Sequence, residues 1–186
     1  MSKSLSFANA IVNDVKEAIE SLDETKIKKM LSILRDARKN EKKVFVMGEG
    51  FSGLVARAMA MRLAELSYNV FVIGETITSA VEKGDVFVVI TASGKTPLVL
   101  EAAKIAKEKV GAKIIGITAS EGSPISKLAD PLLSVNTKVK ETDDEDIYLS
   151  TQLTGSYGSP KRTIFQVATT CILEAMVSEL ASDGAK

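Results

Sequence analysis

Histidine and tryptophan are absent from this 186-residue chain, and cysteine occurs once, as Cys171. Without histidine, the chain cannot form a Ser–His or Cys–His nucleophile pair, or any metal site that depends on imidazole. A single cysteine excludes an intrachain disulfide and therefore a secreted disulfide scaffold. Three tyrosines and six phenylalanines are too few to predict an aromatic stacking platform for single-stranded nucleic acid. The sequence therefore predicts no metal site.

An excess of charge of either sign is also missing, because 24 Lys and Arg residues balance 24 Asp and Glu residues. This balance argues against a broad basic surface for nucleic acid, although it allows one local anion site. No uninterrupted apolar run approaches about 18 residues, so no transmembrane helix is predicted. The N-terminal segment lacks the apolar core of a signal peptide. We therefore expect a cytoplasmic protein with no nucleic-acid or membrane partner.

Hydrophobic patterning predicts a single α/β domain over residues 1–186. Two amphipathic helices are expected within residues 1–40, where apolar residues recur at helical spacing. Short β-branched runs then alternate with helical stretches in residues 41–135, which predicts right-handed βαβ units and a parallel sheet covered on both faces. The polar segment 136–160 is expected to be a long functional loop. Residues 161–186 are expected to contain a C-terminal helix.

The predicted C-terminal helix is apolar on almost every face. Such a helix is buried in the core or lies in an interface, and for the last helix of a small domain we favour an interface between subunits. Cys171 lies in this helix and is expected in the core or the interface. A glutamate at Leu173 or Val177 is accordingly expected to disturb the assembly.

Two loops of glycine and hydroxyl residues each follow a predicted strand and open a predicted helix. The first is Gly48-Glu49-Gly50-Phe51-Ser52-Gly53, and the second is Thr91-Ala92-Ser93-Gly94-Lys95-Thr96-Pro97. Ligands of an open parallel sheet bind beyond the carboxyl ends of its strands, and the free amides at a helix N-terminus suit a phosphate. The predicted phosphate-binding residues are Gly50, Ser52, Gly53, Ser93, Gly94, Lys95 and Thr96.

Each loop alone also has a simpler interpretation. Either one is compatible with a tight turn, with Thr96 as N-cap and Pro97 as the first helical residue. The first loop also matches the dinucleotide fingerprint Gly48-x-Gly50-x-x-Gly53, with Glu75 at a suitable separation for a ribose contact. That motif alone is a weak indication, the second loop has no part in it, and the chain lacks a substrate domain. We therefore favour phosphate binding and predict no cofactor.

Six segments of the chain resemble one family. They are GEGFSG at 48–53, AMRLAEL at 60–66, VIGET at 72–76, KGD at 83–85, TASGKT at 91–96 and PKRTIFQ at 160–166. These segments are similar to those of sugar isomerase (SIS) domain proteins and, among them, of the 6-phospho-3-hexuloisomerases. The resemblance implies a three-layer αβα sandwich with a five-stranded parallel sheet, two N-terminal helices and a long C-terminal helix. It also implies a homotetramer.

The same resemblance implies a reaction, namely metal-free interconversion of D-arabino-hex-3-ulose 6-phosphate and D-fructose 6-phosphate. The ligand is then a phosphorylated sugar. Ser52, Ser93 and Thr96 match the phosphate-binding positions of the family.

Four features depart from the family pattern. Gln166 stands where the family has a glutamate proposed as the acid and base, and Arg162 stands where it has glycine. Phe51 replaces an arginine of the first loop, and the histidine-bearing C-terminal tail is absent. Gln166 also fits a capping box, with Thr163 as N-cap and Gln166 at N3. The sequence leaves open whether Gln166 faces the substrate or only starts the helix.

An isomerase of this kind needs a base for a carbon-bound proton and a donor for the developing oxyanion. Glu75 is the best remaining carboxylate, because it follows the second predicted strand, and Gln166 is the other candidate catalytic residue. Arg57 and Arg62 are expected in surface or interface ion pairs, and Asp143–Asp146 in a solvated loop. A non-catalytic SIS-fold protein that binds sugar phosphates is the alternative, because Gln166 carries no carboxylate.

Overall fold

The structure, a computed structural model, describes residues 2–137, 153–155 and 162–183. The helices are α1 (Lys3–Glu20), α2 (Glu24–Lys39), α3 (Gly50–Glu65), α4 (Pro97–Lys104), which continues as a π-helix over Ile105–Val110, and α5 (Arg162–Ser182). The strands are β1 (Val44–Met47), β2 (Val70–Val72), β3 (Val86–Ile90), β4 (Lys113–Thr118) and β5 (Leu132–Ser134). A 3₁₀-helix spans Pro124–Lys127. Most of the predicted 136–160 loop, with Asp143–Asp146, lies outside the described residues.

The strands are apolar on both faces because helices cover both. Val44 and Val46 of β1 belong to a core cluster shared with α2, α3 and α5, whereas Phe45 and Met47 belong to a second cluster shared with α4. Successive side chains of a strand point to opposite faces, so these two clusters lie on the two sides of the sheet. The predicted three-layer αβα sandwich is confirmed.

All five strands are parallel, in the order β2-β1-β3-β4-β5. In this order β2 lies on one side of β1, and the next strand along the chain, β3, lies on the other side of β1. The carboxyl ends of β1 and β3 therefore flank the point where the direction of winding reverses. In open α/β sheets, ligands bind at this switch point.

Ion pairs fix the direction of α5. Arg35 lies near the end of α2, which leads directly into β1, and it pairs with Glu179 at 2.8 Å and Asp183 at 2.7 Å. The hydrogen bonds to Asp183 and Glu179 raise the pKa of the Arg35 guanidinium. The end of α5 thus lies where the strands begin, and its start lies toward their carboxyl ends. Because α3 connects the carboxyl end of β1 to the start of the parallel strand β2, α3 and α5 run in the same direction. Arg62 of α3 pairs with Glu174 of α5 at 3.1 Å.

The apolar character of α5 is largely explained by burial within one chain. Leu173 and Val177 are only 3% and 6% exposed and belong to the core cluster with α2 and α3. A glutamate at either position would therefore disturb the fold, and it cannot report on an interface. Cys171 is exposed in the single chain, so of its two expected positions the core is excluded and the interface stays a prediction. By length and composition Thr163–Ser182 could cross a membrane, but half of it is buried in this core, as in a core helix of a soluble protein.

A buried carboxylate, that of Asp85, stabilises the edge of the sheet where β1 and β3 begin, which is opposite to the carboxyl ends of the strands. Asp85 accepts hydrogen bonds from the backbone N–H of Lys43 at 3.0 Å and of Glu82 at 2.8 Å. Lys43 Nζ lies 3.7 Å from the same carboxylate. These bonds join the segments before β1 and β3, so the KGD segment has a structural role remote from the two loops.

Candidate functional site

The two predicted loops meet at the switch point. The first loop (residues 48–53) follows β1, the second loop (residues 91–97) follows β3, and β1 and β3 are neighbours in the sheet. Each loop leads into a helix, α3 or α4, and within the described residues neither N-cap side chain, Glu49 or Thr96, makes a cap hydrogen bond. Uncapped amides and the positive ends of two helix dipoles therefore face the same edge of the sheet. This arrangement suits an anion.

The first loop is packed too tightly for a side chain at Gly48. A Cβ there would lie 2.7 Å from the carbonyl of Ser52 and 2.9 Å from the carbonyl oxygen of Ile90. This close approach brings the start of α3 down onto the ends of β1 and β3. Ser52 is buried in the first turn of α3, so its hydroxyl lies at the carboxyl edge of the sheet.

Hydrogen bonds between its own residues shape the second loop. Thr91 Oγ1 lies 3.1 Å from Thr96 Oγ1 and accepts from the N–H of Gly94 at 3.2 Å. Ser93 Oγ accepts from the N–H of Lys95, also at 3.2 Å. Thr96 occupies the N-cap position of α4, as predicted, but its hydroxyl bonds to Thr91 and does not cap the helix. Thr96 as N-cap and Pro97 as the first helical residue are therefore confirmed as positions, although the Thr96 side chain does not cap the helix.

A third loop, after β4, braces the second loop through residues that sequence reasoning missed. Thr118 Oγ1 donates to the carbonyl of Ala92 at 3.2 Å. Ser123 is buried and packs directly against Gly94, whose φ is +64°. Ser123 is also the N-cap residue before Pro124 of the 3₁₀-helix. The turn TASEGS resembles the other two loops in composition, and this signal could have identified both residues.

Glu75 follows β2, at the same edge as the two loops. Arg57 Nε donates to Glu75 Oε1 at 2.8 Å, and both side chains are about half exposed. Arg57 Nη1 lies 3.5 Å from the place of a Cβ on Gly53. The ion pair therefore lies beside the first turn of α3, and Arg57 is in an ion pair as predicted. The Glu75 carboxylate is therefore held by a guanidinium.

Gln166 does not form the predicted capping box. The helix α5 already begins at Arg162, so Thr163 lies inside it, and Gln166 Oε1 is buried without a hydrogen-bond partner among the described residues. The capping interpretation is wrong because it needs Gln166 at N3, three residues after an N-cap outside the helix. Gln166 is instead a partly buried side chain in the first half of α5, which starts toward the carboxyl ends of the strands.

Other predicted residues lie apart from the two loops. Arg62 is in ion pairs with Glu65 and Glu174, as predicted, and its hydrogen bond to Glu174 raises its pKa. Within residues 2–137, 153–155 and 162–183, no cluster of three or more His, Cys, Asp or Glu side chains is arranged to hold a metal ion. The glycine fingerprint Gly48-x-Gly50-x-x-Gly53 does lie between a strand and a helix, as a dinucleotide site requires. That motif uses the first loop alone, whereas here the second loop lies beside it at the end of the neighbouring strand.

The chain is similar to known proteins in sequence. Residues 39–156 match the SIS domain family. An uncharacterized protein of Archaeoglobus fulgidus is 34% identical over 176 residues, covering 95% of this chain and 89% of that protein. The 3-hexulose-6-phosphate isomerase of Methylomonas aminofaciens is 33% identical over 174 residues, covering 94% of this chain and 88% of that protein.

The fold is similar as well. A solved structure of a Methanococcus jannaschii protein, for which a function as 3-hexulose-6-phosphate isomerase was inferred, is 28% identical and has a TM-score of 0.71. The match covers 98% of this chain and 91% of that one. The family match spans more than half of the chain, and relatives above 30% identity cover nearly all of it. This chain therefore belongs to the SIS (sugar isomerase) domain family.

Proposed function

We propose that this chain is a cytoplasmic sugar-phosphate isomerase that interconverts D-arabino-hex-3-ulose 6-phosphate and D-fructose 6-phosphate. The observation that carries the proposal is the meeting of two hydroxyl-rich loops at the switch point, each before an uncapped helix. The likeness to the Methylomonas isomerase supports this class of reaction.

The phosphate lies between the two loops in this proposal. Ser52, Ser93 and Thr96 donate hydroxyl hydrogen bonds to its oxygens, and amides at the starts of α3 and α4 add to them. The contact between Thr91 and Thr96 supports this role. With Thr91 as donor in that contact, the Thr96 proton is available for the ligand. Lys95, in the same loop, adds a positive charge.

The reaction moves a carbonyl from C3 to C2 through a 2,3-enediolate. A base takes the proton from C2 and returns a proton to C3, while the hydroxyl proton passes from O2 to O3, so no electron donor or acceptor is consumed. Glu75 is the base in this proposal, and Arg57 fixes its carboxylate against the helix that binds phosphate. The Gln166 amide donates to the developing oxyanion.

Gln166 also favours a second candidate function, a binding protein for sugar phosphates without isomerase activity, because an amide cannot exchange protons with carbon. A coupled assay for fructose 6-phosphate formation separates the two functions. Turnover supports the isomerase. Binding of fructose 6-phosphate without turnover supports the binding protein.

Ser93→Ala and Thr96→Ala are each expected to weaken fructose 6-phosphate binding by about 1–3 kcal/mol, the range for a hydrogen bond to a charged group. Isothermal titration calorimetry measures the effect. Ser178→Ala is the control, since that hydroxyl is exposed and donates to the Glu174 carbonyl of its own helix, at 2.8 Å. Unchanged affinity in both loop variants, or equal affinity for unphosphorylated fructose, would contradict phosphate binding at these loops.

The predicted homotetramer can be tested on α3. Phe51, Leu54 and Met61 are exposed, and their spacing places them along one face of the helix. We expect Met61→Glu to lower the mass measured by light scattering at micromolar concentration, since a carboxylate buried in an interface without a partner is costly. Ser32→Glu, at an exposed position of α2, is the control and should leave the mass unchanged. A monomer mass for the unaltered chain would refute the assembly.

A further inference from the structure

Two buried polar atoms of α5 have no hydrogen-bond partner among the described residues, namely Oε1 of Gln166 and Oγ1 of Thr169. Thr169 is fully buried. Buried polar groups are almost always hydrogen-bonded. The adjacent Thr170 follows that rule, because its hydroxyl donates to the Gln166 carbonyl at 2.8 Å. Two unpaired atoms within one helical turn therefore require a cause other than local helix structure.

Gln166 and Thr169 share one face of α5, because residues three apart are neighbours on a helix. Their height along the sheet follows from the ion pair between Glu174 of α5 and Arg62 of α3. Both helices run in the same direction. Gln166 lies eight residues before Glu174 in α5, and Leu54 lies eight residues before Arg62 in α3, so Gln166 and Leu54 are at a similar level. At about 1.5 Å per residue, Gln166 is close to level with the first turn of α3, which belongs to the proposed phosphate site.

We infer that Thr169 is a positioning residue for Gln166, an inference that rests on the proposed function. When a sugar phosphate is bound, the Thr169 hydroxyl donates to Gln166 Oε1. A single bond then satisfies both unpaired atoms, since the amide oxygen accepts and the hydroxyl donates. The Cβ atoms of such a pair are about 5–6 Å apart, a distance that the long glutamine side chain spans.

This bond determines where the other end of the amide points. With Oε1 held by Thr169, Nε2 turns toward the ligand, and its two N–H groups donate to the sugar's carbonyl or enediolate oxygen and to a neighbouring hydroxyl. Thr169 itself does not touch the ligand, because it is fully buried. Its contribution is to orient the Gln166 amide, whose oxygen has no other hydrogen-bond donor among the described residues.

Calorimetric titration of the full chain with fructose 6-phosphate and with inorganic phosphate tests this role. Thr169→Val replaces the hydroxyl with a methyl group of similar size, and we expect about tenfold weaker affinity for the sugar phosphate, or 1.4 kcal/mol. Affinity for inorganic phosphate should not change, because both loops are intact. The melting temperature should hold or rise, since an unpaired buried hydroxyl is removed. Thr169→Ser, which keeps the hydroxyl, should restore the affinity.

Thr170→Val is the matched control, because it removes a hydroxyl that is already satisfied within the helix, and sugar affinity should be retained. Gln166→Met should reproduce the loss, and adding Thr169→Val to it should cause no further loss, since Thr169 acts through Gln166. If the valine variant does not fold, Thr169→Ala replaces it.

Two results would overturn the inference in distinguishable ways. Unchanged sugar-phosphate affinity in Thr169→Val, or an equal loss in Thr169→Ser, removes the positioning role and leaves the proposed function standing. No binding of fructose 6-phosphate by the unaltered chain removes both.

Discussion

Gln166→Glu is expected to accelerate fructose 6-phosphate formation by a factor of about 10² to 10⁴, the usual contribution of a general acid or base. In the proposed mechanism Glu75, which is held in an ion pair with Arg57, is the base of the unaltered chain, and we expect slow turnover on that base alone. The amide at position 166 can neither take a proton from carbon nor return one, whereas a carboxylate there does both. The side chain is partly buried, and its Oε1 has no hydrogen-bond partner in the part of the chain that the structure describes. Such burial raises the pKa of a carboxyl toward neutrality, where a base is most effective. Initial rates in the coupled assay measure the gain.

A separate stability measurement distinguishes this catalytic effect from a folding effect. Since α5 begins before Gln166, the new carboxylate gains no capping bond. We expect a carboxyl placed there to have a pKa above its unfolded value, because it is partly buried, and the stability of the variant should then fall as the pH rises through the folded pKa. The melting temperature of the variant should therefore fall further below that of the unaltered chain at about pH 8 than at about pH 5. Faster turnover together with lower stability cannot arise from better folding.

Gln166→Met is the control for this gain, because it keeps the size of the side chain and supplies no base. It should not accelerate the reaction. Strong turnover by the unaltered chain, with no gain in Gln166→Glu, would contradict a missing base at this position. Glu75→Gln would then be expected to remove most of that turnover.

Gly94→Ala is expected to abolish fructose 6-phosphate binding and to destabilise the fold by roughly 2–5 kcal/mol, through backbone strain and overpacking. Gly94 has a φ of +64°, and a Cβ there would overlap the side chain of Ser123. Ser123 cannot withdraw easily, because it is buried and its hydroxyl donates to the Ser120 carbonyl at 2.6 Å. The second loop would have to move away from the third. Urea unfolding and calorimetric titration measure the two effects.

Gly122→Ala is the matched control in the neighbouring loop, since a Cβ there meets nothing within 4 Å. It should change neither stability nor binding. Ser123→Gly, added to Gly94→Ala, should recover part of the stability by removing the overlap, while the strain at φ +64° remains. Normal sugar-phosphate affinity in Gly94→Ala would show that the shape of the second loop does not matter for the ligand.

The sequence by itself determined the kinds of element, their order along the chain, and the loops that carry glycine and hydroxyl groups. The runs around β1, β3 and β4 are apolar and β-branched, and such strands form only where both faces are covered. Their pattern is local, so it is readable without knowing which strands pair. The same holds for Ser123 and Pro124, whose capping signal depends on neighbours in the chain.

The tertiary structure alone decided which distant segments meet. The order β2-β1-β3-β4-β5 makes the two loops neighbours, and no local pattern encodes strand order. Thr118 and Ser123 support the second loop only because β4 lies beside β3. Gln166 fits a capping box equally well in sequence, yet its amide oxygen has no hydrogen-bond partner among the residues that the structure describes. Whether a polar group is satisfied depends on partners brought from far along the chain, and only the packed fold supplies or withholds them.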